Sequence, residues 1–119
     1  MKFLTMVKTL NPESATNPPP ALMAAIVQLG MEAGARMTET GGMALAGTVT
    51  TRKGQMVTDG PYAEAKEQVG GYAIYELDTE AEIVAWTQRF VDLHRRHWPE
   101  WDGEVTILHL QQFNMAGPQ

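Results

Sequence analysis

The stretch YAIYELDTEAEIVAWTQRFVDL, residues 72–93, passes from one hydrophobic period to another without a break. Tyr72, Ile74 and Glu76 fall on one face of an extended chain and Ala73, Tyr75 and Leu77 on the other, and these aromatic and branched residues suit a sheet. Thr79-Glu80-Ala81-Glu82 then fits a capping box, after which Ile83, Trp86, Phe90 and Leu93 step by three, four and three along one helical stripe. A strand with apolar groups on both faces runs straight into an amphipathic helix, which points to an α+β layer packing.

Working outward, Phe3, Leu4, Met6, Val7 and Leu10 predict a first strand, ended by the proline-rich loop of residues 11–20. Leu22, Ile26, Leu29 and Ala33 predict a first helix from Ala21, with Pro20 at or just before its first turn. Gly30 and Gly34 read as lying inside that helix and marking a close backbone approach, and Gly41-Gly42 as its left-handed stop. Residues 43–50 and 55–58 read as a hairpin turned at Lys53-Gly54. Pro99 breaks the second helix, and residues 105–113 predict a last strand. The order β-α-β-β-β-α-β resembles a ferredoxin-like split βαβ: both helices lie on one face of an antiparallel sheet and leave the other face for a partner. The 119 residues form one domain, with 114–119 as a C-terminal tail.

Composition narrows the chemistry. With no cysteine there are no disulfides, thiolate metal sites or thiol nucleophiles, and a reducing cytoplasm is the expected compartment. The start, MKFLTMVKTL, makes a poor signal peptide, and no apolar run approaches membrane-spanning length. A net charge of −5 offers no basic field for nucleic acid.

The loop between the hairpin and the 72–77 strand, DGPYAEAKEQVGG, gathers the groups that carry chemistry. Read as a corner, Asp59 caps a turn, Gly60 and Pro61 shape it, residues 63–68 make a short helical turn and Gly70-Gly71 ends it. Read as a site, Asp59 is a general base and Tyr62 its partner, with Glu64, Lys66, Glu67 and Tyr72 around a ligand. Trp98 and Trp101, beside Pro99, offer a flat apolar roof for a pocket, and His109 is a further candidate base on the last strand. His94 and His97, with Glu100 and Asp102, have a spacing open to a metal, but compensation of the helix dipole is the plainer reading, and neither metal nor cofactor is expected.

Residues 57–72, VTDGPYAEAKEQVGGY, resemble the signature of the YCII-related, or DGPF-domain, family, in which a strand runs into D-G-P-F, A-E-T/S-K-E and a Gly-aromatic strand. LHRRHWPEWDGE, residues 93–104, resembles the His-Trp-Pro-x-Trp-x-Gly-Glu loop of one branch of that family. The resemblance implies a ferredoxin-like fold that pairs through its sheets into a dimeric α+β barrel, hence a homodimer. It also implies small-molecule enzymology on a polar or aromatic ligand, one relative dehydrochlorinating a hydroxyquinone. Members occur near extracytoplasmic-function sigma factors in bacterial genomes, which makes a regulatory, protein-binding module the alternative. Two departures stand out: Tyr62 replaces the motif's phenylalanine, and the first helix lacks the histidine that many members pair with aspartate. A basic Asp59 would therefore work with Lys66, Glu67, a tyrosine or a histidine from the last helix or strand.

Overall fold

The computed structural model describes residues 1–63 and 68–115. Its strands are β1 (Lys2–Thr9), β2 (Met37–Ala44), β3 (Thr48–Arg52), β4 (Gln55–Asp59), β5 (Gln68–Glu76) and β6 (Gly103–Leu110), and its helices α1 (Pro20–Ala33) and α2 (Glu80–His97). Four strands form one sheet in the order β2-β5-β1-β6, every neighbouring pair antiparallel, while β3 and β4 pair only with each other. Each helix joins two strands that run parallel with a third strand between them, which is the ferredoxin-like arrangement read from the sequence.

Local chemistry explains the boundaries. Pro20 opens α1 where its missing N–H costs nothing, and Gly34, at φ 57°, closes it by donating its N–H to Gly30 O. Gly34 is therefore the stop and not an interior residue, and Gly30 has open space where a Cβ would stand, so the expected close approach at this pair is absent. Thr79 caps α2, its hydroxyl accepting from Glu82 N at 3.2 Å. The N-terminal half of β2 was not foreseen. Gly41 and Gly42 sit inside that strand, and the expected 43–50 strand divides between the end of β2 and β3, so the chain has one strand more than the expected order. Edge pairing with β5 overrides the turn-like composition: Thr38 and Thr40 hydroxyls donate to Ile74 O and Tyr72 O. β6 stops at Leu110, short of the expected Phe113. Gly70 and Gly71 likewise lie within β5, and the proposed helical turn at 63–68 falls mostly outside the described residues.

The helices cover one face of the sheet. Phe3, Tyr75, Leu77, Ile83 and Trp86 form one core with Leu29 and Ala33, and the α2 stripe faces it as the sequence demands. A second core joins Trp98 and Trp101 to Ala15 and Leu22. Asn11 ties it shut, donating from Nδ2 to Glu100 O at 2.7 Å and accepting from Asp102 N at 2.9 Å. On the opposite face Leu4, Met6, Ile74 and Leu108 line up with no helix over them. Among the described residues no helix is long and apolar enough to cross a membrane.

Candidate functional site

The DGPY loop is held by backbone before any side chain acts. Gly60 takes φ 117°, a region that penalises any Cβ, and the Gly60-Pro61 peptide is cis. A Cβ on Gly60 would lie 2.8 Å from Gly47 Cα, and one on Gly47 would lie 2.8 Å from Asp59 O, so the two glycines interlock. Tyr62 N donates to Ala46 O at 3.0 Å across the same joint. The Tyr62 hydroxyl donates to Asp59 Oδ2 at 3.0 Å. That hydrogen bond, with some desolvation and the adjacent carboxylate charge, raises the Tyr62 phenol above its ordinary value, because ionisation would lose the donor and set an anion against Asp59.

A second phenol–carboxylate pair lies on the open sheet face. Tyr72 crosses Gly41, where a Cβ would stand 3.0 Å from the ring, and donates its hydroxyl to Glu39 Oε2 at 2.6 Å. The same causes in the same order raise this phenol. Glu39 was not among the expected site residues; only the β2–β5 register, which sets Gly41 beside Tyr72, reveals it.

The other candidates do not gather here. Trp98 and Trp101 are buried in the second core, where Trp101 Nε1 donates to Thr9 Oγ1. His109 sits across from Phe3, toward the opposite end of the sheet from Gly71, with Nδ1 3.8 Å from Glu80 Oε1. His94 turns inward, donating from Nδ1 to Phe90 O at 3.0 Å with its ring 4.2 Å from that of Trp101, while His97 is exposed. Glu64, Lys66 and Glu67 lie outside the described residues. Among the described residues, no cluster of three or more His, Asp or Glu side chains has a geometry for a metal ion.

An apolar cleft of about 300 Å³ opens between the helices and the sheet, with Ile26 and Gly30 of α1, Thr87 and Phe90 of α2, and Val7 as walls. Gly71 and Tyr72 border it, while the Tyr72 hydroxyl stays on Glu39 at the open face. The missing side chain at Gly30 helps to leave this space open.

An antiparallel four-stranded sheet with two helices on one face defines an α+β protein with a ferredoxin-like fold. The chain belongs to the YCII-related domain family, whose model matches residues 1–91. Among solved structures it is similar to 5-chloro-2-hydroxyhydroquinone dehydrochlorinase from Burkholderia phenoliruptrix AC1100, in complex with 2,5-dihydroxybenzoquinone. That likeness has a TM-score of 0.51 at 17% identity, covering 95% of this chain and 96% of the other, and it speaks for the fold. No curated protein matches the sequence.

Proposed function

We propose that the chain is an enzyme-like homodimer that binds a small hydroxylated aromatic or quinoid molecule at the DGPY loop, with Asp59 as general base. The observation that carries this reading is the Tyr62 hydroxyl held on the Asp59 carboxylate at 3.0 Å by a loop whose backbone is interlocked. A carboxylate is matched to acidic protons, and the hydroxyl of a hydroxyquinone is one. A ligand hydroxyl can take the place of the Tyr62 phenol on Asp59, leaving Tyr62 to donate to a ligand oxygen. The dehydrochlorinase with its bound dihydroxybenzoquinone supports the ligand class, and Glu64, Lys66, Glu67 and Tyr72 are the further residues proposed to line the site.

Calorimetric titration with 2,5-dihydroxybenzoquinone tests the reading. Asp59→Asn is expected to weaken binding tenfold or more with the fold intact, since a charge-assisted hydrogen bond contributes about 1.5–3 kcal/mol. Unchanged affinity would remove Asp59 from the site. The cleft supports a second reading, a binding module that holds an apolar ligand without chemistry. Gly30→Leu fills that cleft, and loss of binding in this variant with Asp59→Asn unaffected would establish it in place of the first.

A further inference from the structure

All ten residues of β3 and β4 are exposed, and among the described residues these strands pair only with each other. A lone two-stranded hairpin is marginal in water, so one that is kept needs a surface to lie on. Among the described residues its own body does not supply that surface. The molecule measures 48 × 42 × 23 Å, and its radius of gyration of 17.4 Å exceeds the roughly 13–14 Å of a compact chain of this length. Yet its root is fixed by the Gly47–Gly60 contact and its tip by Lys53 and Gly54, both at positive φ in a tight turn. This is a shaped arm, and one of its faces presents apolar side chains to solvent. The register puts Val49, Thr51, Met56 and Thr58 on one face, with Val49 67% and Met56 74% exposed.

We propose that this hairpin is a docking arm that lies on the open sheet face of a second copy of the chain, against its Leu4, Met6, Ile74 and Leu108. The inference rests on the homodimer of the proposed function and names the element that holds it. Charge favours another copy. The chain carries −5; the arm, with Arg52 and Lys53 against Asp59, carries +1, which leaves −6 on the remainder. The arm and the rest of the chain are therefore opposite in net charge. Area favours it too. Four strands of this length present a face of roughly 26 by 19 Å, or about 500 Å², by standard strand rise and spacing. A stable dimer buries about 800 Å² per partner, so the sheet face alone falls short and an arm from each copy narrows the deficit. Two-fold symmetry lets each arm reach the other copy's face and closes the assembly at two.

The test combines sedimentation with cross-linking. Wild type is expected to sediment as a dimer at micromolar concentration, and Val49→Asp/Met56→Asp to raise the dimer dissociation constant at least tenfold. Because the chain has no cysteine, Met56→Cys can carry a single benzophenone label. In a mixture of isotopically heavy and light protein, cross-links are expected between copies and on open-face residues of β1, β5 or β6. An unchanged dissociation constant in the double variant, or cross-links confined to one copy or to the helices, would overturn the arm and leave the dimer standing. A monomeric wild type would overturn both, while Asp59 would remain testable by titration.

Discussion

Gly103 has no side chain because the Trp101 ring occupies the place: a Cβ there would stand 1.7 Å from Cζ2. Gly103→Ala should therefore lower stability by about 1–3 kcal/mol or more, read by thermal melting, since ring or backbone must shift in a packed core. Gly70→Ala should be as severe, its Cβ falling 2.1 Å from Val7 O, and Gly71→Ala much milder, with 3.4 Å to Gly41 O. Gly60→Ala combines positive φ with a backbone clash and should cost about 1–3 kcal/mol. Equal melting temperatures for the Gly70 and Gly71 variants would contradict this ranking. His94 gives a pH signature. Burial pushes its imidazole below the ordinary value, and the hydrogen bond to Phe90 O only partly opposes this. The unfolded chain then binds the proton more readily, so stability is intact above about pH 6.5 and falls as pH drops from there toward the lower folded value. The melting temperature should decline from pH 7.5 to 5.5 by more than it does in His94→Phe; parallel profiles would remove His94 as the cause.

The α2 helix was legible because local signals agree: a capping residue, charges arranged along the dipole and an apolar stripe all sit within one segment. Thr79→Ala should cost about 1 kcal/mol in thermal or denaturant melts, and no change would mean that the cap is idle. β2 was not legible in full, because Thr38-Glu39-Thr40-Gly41-Gly42 becomes a strand only through ladder bonds to β5, which is distant in sequence. The candidate site divides along the same line. Asp59 and Tyr62 stand three residues apart and belong to a readable turn, whereas Glu39 reaches Tyr72 only through the register. Trp98 and Trp101 looked like loop aromatics beside a proline; the Asn11 clamp and Ala15, from a loop far up the chain, bury them.

At the scale of the whole molecule, the sheet is built around β1, whose neighbours lie far along the chain: Lys2 stands opposite Glu76 on one side and Leu110 on the other. Such long-range pairing predicts slow refolding, in milliseconds to seconds rather than microseconds, measurable by stopped-flow tryptophan fluorescence. A microsecond phase carrying the full amplitude would contradict it. The central position of β1 also bears on translation. β1 is synthesised before both of its neighbours: it gains no sheet partner until β5 is made and stays one-sided until β6 follows, an interval of roughly 5–20 s at bacterial or slower elongation rates. During that time its unpaired edge is open to neighbouring chains on the same message. Lys2 and Lys8 stand near the two ends of the strand, and like charges on nascent copies oppose their pairing while it waits.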